Sequence, residues 1–166
     1  MKINMKKGFT LIELLIVIAI IGILSATVLI TFPTAAKQAK DSRVISAIGQ
    51  IRTVMASFYS VQGSYTSPLP LSCTNPEEMP ILCAEVKKNN LDKTDPVISK
   101  YDDETAGEHG ACVYSKLNKT TGAPADAWYY CADSTGIAGS TKTDPSTTCK
   151  GTPAAVGDVV CPTDVQ

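Results

Sequence analysis

The feature that most constrains this 166-residue chain is an apolar run near its N-terminus, from Phe9 to Phe32. Lysines and Gly8 precede the run, and Glu13 is the only ionisable side chain within it. A helix of this length rises about 36 Å, which is enough to cross a hydrocarbon core of about 30 Å. We therefore predict a membrane-spanning helix over residues 9–32.

Glu13 is a problem for such a helix, because a carboxylate in hydrocarbon costs on the order of 3 kcal/mol. We expect no partner for it three or four residues away in its own helix. Cleavage of the chain after Gly8 would create a charged amine on Phe9, and the carboxylate of a staggered neighbouring copy could neutralise that amine. The pattern thus predicts a helical polymer whose register depends on one buried ion pair.

The string Lys-Lys-Gly-Phe-Thr-Leu-Ile-Glu-Leu-Leu-Ile-Val, which begins at Lys6, resembles the signature of type IV prepilins and of the pseudopilins of type II secretion. The resemblance is tight to Ser25 and looser to about Pro68. It implies cleavage between Gly8 and Phe9, N-methylation of Phe9, and an assembly role for Glu13. It also implies an α+β, lollipop-like fold with a long N-terminal helix packed on a small antiparallel β-sheet head.

The resemblance implies that the chain is a structural subunit of a type IV pilus used for attachment, motility or DNA uptake. The implied partners are further copies of the chain, the prepilin peptidase, the membrane, and an inner-membrane assembly platform with its ATPases. The precursor would lie in the cytoplasmic membrane, and the assembled subunit in an extracellular pilus or a periplasmic pseudopilus. Alternatives are a pseudopilin, a minor tip pilin, a cleaved secretory signal peptide, and a membrane-anchored binding domain that never polymerises.

Four segments follow from this interpretation: a leader (1–8), the membrane and assembly helix (9–32), an amphipathic half of the same helix (33–63) and a globular head (64–166). The amphipathic half has one apolar stripe with helical spacing, formed by Val44, Ile48, Ile51, Met55 and Phe58. Pro33 predicts either a kink at the membrane interface or a locally unwound turn.

The head contains signals for a short helix around residues 81–88 and for two strands, 112–117 and 127–132. Paired as a symmetric hairpin, the strands would place Cys112 opposite Cys131 and Tyr114 opposite Tyr129. The tail from Gly139 is rich in Thr, Ser, Pro and Gly, and we expect it to be irregular.

Six cysteines in this position indicate an oxidising compartment and a disulfide-linked head. They also favour export of the head, since basic residues flank the apolar run equally on both sides. The pairing we prefer is Cys112–Cys131, Cys149–Cys161 and Cys73–Cys83. A zinc site is not expected, because no C-x-x-C spacing occurs and His109 is predicted to lie in a polar loop.

After Gly63 the chain has eight lysines against fourteen acidic residues. Direct binding of nucleic acid is not expected from such a head, since phosphate contacts need clustered basic residues. No nucleophile motif or cofactor fingerprint is present, so we expect neither an enzyme nor a cofactor. Calcium is an alternative raised by one acidic cluster, made of Asp102, Asp103, Glu104 and Glu108.

Overall fold

The computed structural model describes residues 8–66, 69–103, 105–120, 127–150 and 159–166, excluding the side chains of residues 29–31 and 120. In chain order the elements are α1 (Leu11–Gln62), α2 (Met79–Asn89), β1 (Val97–Asp103), β2 (Glu108–Thr120), β3 (Ala127–Asp133), β4 (Ala138–Thr141) and a 3-10 helix (Pro145–Thr147). The α+β class predicted from the sequence is confirmed.

Helix α1 continues through Pro33, so the described backbone does not show the unwound turn that was one alternative there. The chain divides into two compact units, one that ends at Ala36 and one that extends from Lys37 to Gln166. The first unit contains the apolar part of α1. The second contains the rest of that helix together with α2 and all four strands.

The predicted apolar stripe of α1 is confirmed, because its five residues are all between 0 and 7% exposed. They pack in one cluster with Met79, Cys83 and Val86 of α2 and with Val113 and Leu117 of β2. The helix predicted around residues 81–88 is α2, which is longer by about one residue at its C-terminal end and two at its N-terminal end. The stripe therefore binds the helix to the head.

The four strands form an antiparallel sheet in the order β1-β2-β3-β4. The two strands predicted from the sequence correspond to β2 and β3, whereas β1 and β4 were not predicted. β4 lies within the tail that we expected to be irregular. Its residues Ala138–Thr141 are small and polar, so their pairing with β3 is not visible as a hydrophobic pattern.

Both faces of the sheet are covered. Successive residues of a strand point to opposite sides, so neighbouring residues of β2 pack against different elements. Val113 and Ala132 lie on the face that packs against α1 and α2. Cys112 lies on the other face, where it clusters with Cys149 and Val159 of the C-terminal tail. The tail thus forms a layer over the sheet.

The register predicted for the β2–β3 hairpin is wrong by two residues. Cys112 pairs with Asp133 rather than with Cys131, and Tyr114 pairs with Cys131 rather than with Tyr129. The register also shifts between Lys116 and Thr120, which marks an irregularity of the β-bulge type. A symmetric hairpin centred on the connection cannot reproduce a register that changes within the strand.

This register changes two of the three predicted disulfides. The structure has Cys112–Cys149 and Cys131–Cys161, and only the predicted pair Cys73–Cys83 is confirmed. Cys112 and Cys131 are not opposite each other on the sheet, so each bonds to the tail that crosses above it. All six cysteines are in disulfides.

Candidate functional site: the amino-terminal segment

The predicted cleavage position lies in a short stretch without regular secondary structure before α1. Gly8 is exposed, and a Cβ atom built on it would meet nothing within 4 Å. Phe9 follows with 87% of its surface exposed. The residues that the structure describes therefore impose no steric requirement for glycine at position 8.

The first turn of α1 provides Glu13 with a partner in its own chain. The Thr10 backbone N–H donates to Glu13 Oε2 at 2.9 Å, and the Thr10 hydroxyl donates to the same oxygen at 2.8 Å. In return, the Glu13 backbone N–H donates to Thr10 Oγ1 at 3.3 Å. This is a capping box, in which an N-cap Thr and the Glu three residues later satisfy each other's backbone.

The expectation that Glu13 has no partner three or four residues away is therefore wrong. The sequence signal was present, since Thr-x-x-Glu before an apolar run is the signature of a capping box. The capping contacts neutralise no charge, because Thr10 supplies dipoles only. The carboxylate still lacks a cation among the described residues around it.

From Leu14 to Leu24, α1 is apolar on all sides. The stretch Leu11–Val28 is long and apolar enough to cross a membrane, and none of it is buried against other described residues. The stretch Phe32–Gln62 passes the same test, but it contributes the buried stripe of the head. Leu11–Val28 is thus the segment whose apolar surface has to be covered by lipid or by other helices.

Residues 3–29 match the family described as the prokaryotic N-terminal methylation motif. This match contains Gly8, Phe9, Thr10 and Glu13, and it extends along the exposed apolar helix. Over this segment, the chain is similar to the type IV pilins.

Curated relatives of this chain match over the same region. The chain is 48% identical over 52 residues to the type IV major fimbrial protein FimA of Dichelobacter nodosus, which is 31% of this chain and 33% of the relative. It is 45% identical over 58 residues to the fimbrial protein EcpB of Eikenella corrodens, covering 35% and 36%. It is 44% identical over 61 residues to the type IV wide pilus major component PilA4 of Thermus thermophilus, covering 37% and 47%.

The similarity thus spans between about a third and a half of the length of these relatives. No solved structure matches the chain significantly. The similarity to pilins is accordingly confined to the N-terminal third of the chain, whereas the head has to be understood from its own geometry.

In that head, the acidic cluster that raised the calcium alternative is divided between separate contacts. Asp102 Oδ2 accepts hydrogen bonds from the Tyr65 N–H at 2.7 Å and the Ser64 hydroxyl at 3.0 Å, and Asp102 Oδ1 contacts His109 Nδ1 at 2.8 Å. Asp102 thus ties the chain after α1 to the β1–β2 hairpin. Calcium binding stays an untested prediction, and Glu104 lies outside the described residues.

The expectation that His109 lies in a loop is wrong, because it is part of β2 and pairs with Asp102 across the hairpin. Ser64, His109 and Asp102 meet, but their hydrogen bonds differ from those of a nucleophilic triad. There, histidine accepts from the serine hydroxyl and donates to the acid. Here both Ser64 and His109 bond to the carboxylate, so the serine hydroxyl is not activated by the imidazole.

Two buried polar residues of the head were not identified from the sequence. Asp41 of α1 accepts hydrogen bonds from the backbone and side-chain amides of Asn118 on β2. Asp133, at the end of β3, accepts four hydrogen bonds from the following turn through one oxygen, and its other oxygen accepts the Cys161 N–H at 2.8 Å. These residues lock the helix and the tail onto the sheet.

Proposed function

We propose that this chain is the precursor of a structural pilin that polymerises into a type IV pilus. In this proposal it is stored in the cytoplasmic membrane through residues 9–32 and cut after Gly8 by a prepilin peptidase. The new N-terminus, Phe9, is methylated, and the subunit joins the filament through its apolar helix. Attachment, motility and DNA uptake are the roles that such a filament would serve.

The observation that carries the proposal is the methylation motif on a helix that has no apolar cover of its own. Membrane anchoring alone would cover the apolar surface equally well, but it would use Glu13 only in the capping box, which needs no charge. A carboxylate retained in that position calls for a cation, and the amine of Phe9 from an adjacent copy is the one that cleavage would create. The relatives named as fimbrial and pilus proteins favour a pilus over a secretion pseudopilus.

The capping box separates two roles of Glu13 that experiments can distinguish. Glu13→Gln keeps a carbonyl oxygen that can accept from Thr10, but it removes the charge. Thr10→Val removes the capping hydroxyl but keeps the charge. Filament assembly that depends on the ion pair requires the charge and tolerates the loss of the cap.

The test expresses both variants with the wild type in cells that carry a complete pilus assembly system, and it measures sheared filaments and membrane-bound monomer. Glu13→Gln is expected to abolish filaments and leave monomer in the membrane, whereas Thr10→Val is expected to retain filaments. Normal filaments from Glu13→Gln, or a failure of assembly confined to Thr10→Val, would contradict the ion-pair mechanism.

Processing has its own test, the mass of the N-terminal peptide. Wild-type subunits should begin at methylated Phe9, and Gly8→Val should retain the leader. A Cβ atom at position 8 would meet no described atom within 4 Å, so retention would report on the peptidase rather than on misfolding. An unprocessed Met1 terminus in wild-type cells with an active peptidase would contradict the pilin proposal and leave a membrane-anchored domain as the better account.

A further inference from the structure

The head contains a polar cleft that the filament proposal does not use. It encloses about 230 Å³ between the connection that follows α2, strands β2 and β3, and the 3-10 helix of the tail. Tyr114 and Tyr129 form its aromatic walls, and Asp92, Asp95 and Asp144 contribute carboxylates. Lys116 is the only cationic residue in the described lining.

The two tyrosines form a corner rather than a stack. Their ring centroids are 6.3 Å apart, and the ring planes meet at 70°. Aromatic faces attract a cation that lies within about 6 Å of the ring centre, and two faces at an angle can act on one cation. Both rings are only partly buried, so part of their surface is open to the cleft.

The charges of the cleft favour the same kind of ligand. Lys116 Nζ lies 3.5 Å from Asp92 Oδ2, and Lys87 Nζ lies 3.1 Å from Asp95 Oδ2, which leaves Asp144 as the carboxylate of the lining without a cationic partner among the described residues. Burial, and then the charge of nearby Asp144, raise the pKa of both tyrosine hydroxyls above its usual value. A cation placed between them would be stabilised by rings and carboxylates together.

A buried amide supports the cleft wall from behind. The side-chain N–H groups of Asn90 donate to Ser115 Oγ at 2.9 Å and to the Thr94 carbonyl at 2.8 Å, and both of these residues line the cleft. Asn90 is 1% exposed, so these bonds hold that part of the wall in place from the interior.

Hydrogen bonds and one disulfide hold the geometry of the cleft. Asp144 Oδ1 accepts the Ser146 N–H at 2.9 Å, and Asp144 Oδ2 accepts the Tyr129 hydroxyl at 3.3 Å. The tail that carries Asp144 is bonded to β2 by Cys112–Cys149, two residues from Tyr114. The carboxylate and the rings are therefore positioned before any ligand arrives.

We propose that this cleft binds a small organic cation, an alkylammonium group held between the rings of Tyr114 and Tyr129 and beside the carboxylate of Asp144. The proposal does not depend on filament formation, because the whole cleft belongs to one head. Binding is therefore measured on the monomeric full-length chain, and failure of polymerisation would leave it untouched.

The test uses full-length protein in dodecyl maltoside, whose headgroup has no ammonium group. Choline is titrated at fixed salt, and the backbone amide shifts of residues 114, 129 and 144 are followed by NMR. The matched ligand is 3,3-dimethylbutan-1-ol, which has the shape of choline with carbon in place of the charged nitrogen. Saturable binding of choline, at least about tenfold tighter than binding of the neutral analogue, is expected. Equal affinity for the two ligands, or no saturable shift with choline, would overturn the proposal.

A variant pair tests the carboxylate. Asp144→Asn keeps the size of the side chain and one of its oxygens but removes the charge. It is expected to weaken choline binding several-fold and to leave the affinity for the neutral analogue unchanged. Glu77→Gln removes one charge from an exposed position outside the cleft and is expected to have no effect. If Glu77→Gln weakened choline binding as much as Asp144→Asn, the attraction would be general to an acidic protein and the site would be refuted.

Discussion

At the level of single residues, Thr10 is the N-cap of α1 and positions the side chain of Glu13. It supplies the hydroxyl and the N–H that hold Glu13, and the backbone of Glu13 bonds back to it. The same carboxylate is the proposed partner of a neighbour's amine. Thr10 therefore sets where the carboxylate points before assembly.

Replacement of Thr10 by Val is expected to loosen the first turn of α1 without altering the head. Loss of an N-cap hydroxyl costs about 1 kcal/mol of helix stability. Hydrogen exchange of the amides of residues 11–14, measured in detergent micelles, should become several-fold faster. Thr10→Ser keeps the hydroxyl and is the control. Equal exchange rates in Thr10→Val and the wild type would show that the cap does not hold this turn.

At the level of elements, the C-terminal tail and β4 depend on each other. Ser140 and Gln166 exchange two backbone hydrogen bonds, each of 3.0 Å. A Cβ atom on Gly139 would come within 2.6 Å of the Gln166 carbonyl oxygen, which leaves room only for glycine. These two hydrogen bonds thus hold Gln166 against β4.

Substitution of Gly139 by Ala should therefore separate this tail from β4. The clash is with backbone, which cannot rotate away, so we expect a loss of about 1–3 kcal/mol in the free energy of unfolding. Urea unfolding followed by tyrosine and tryptophan fluorescence measures it. Removal of residues 165–166 eliminates the clashing atoms, so Gly139→Ala in the truncated chain should cost much less. Equal costs in both backgrounds would contradict the contact.

The attachment of the tail is also expected to depend on pH. Hydrogen bonds from the side chains of Thr143 and then Thr141 hold the pKa of Asp164 below its usual value of 3.8. A carboxyl with a lowered pKa in the folded state stabilises the fold above the unfolded pKa, and this contribution is lost as the pH falls through the folded pKa. The thermal midpoint should thus decline below about pH 4.

Asp164→Asn removes the titrating group and should make that part of the pH profile flatter. Asp95→Asn, at a surface ion pair with Lys87, is the comparison for loss of an acidic residue elsewhere. A wild-type and an Asp164→Asn profile with the same slope between pH 5 and pH 3 would show that the bonds to Asp164 contribute nothing to stability.

At the scale of the whole head, two disulfides attach the tail to the sheet. They close loops with sequence separations of 37 and 30 residues. Loop closure of this length is associated with about 3–4 kcal/mol of stabilisation for each bond. The small core of the head, formed by one helix stripe, α2 and one sheet face, accordingly gains much of its stability from cross-links.

The connectivity is checked by tryptic digestion without reduction. Peptide 101–116 should be linked to 143–150, and peptide 120–142 to 151–166, whereas Cys73 and Cys83 lie within one peptide. The alternative pairing would link 101–116 to 120–142.

Replacement of Cys112 and Cys149 together by Ser should lower the thermal midpoint and loosen the cleft wall that carries Asp144. An unchanged midpoint would show that this bond is dispensable for stability.

The sequence by itself determined the elements whose signal is local. The apolar helix, the stripe from Val44 to Phe58, helix α2 and strands β2 and β3 all follow from periodicity and composition. The Thr10–Glu13 cap was equally readable, because both residues lie in one turn. The motif around Gly8 and Phe9 likewise sufficed to indicate the family, since it is a property of contiguous residues.

Only the tertiary structure decided which distant residues meet. The hairpin register depends on an irregularity within β2 that no composition signal marks. As a result, Cys112 lies opposite Asp133 rather than opposite Cys131. β4 pairs through its backbone, which every sequence supplies, so its small polar side chains gave no indication of a strand. Each cysteine of the sheet bonds to the thiol that folding brings nearest, and for Cys112 and Cys131 that thiol is in the tail. This proximity is a property of the packed molecule rather than of the spacing along the chain.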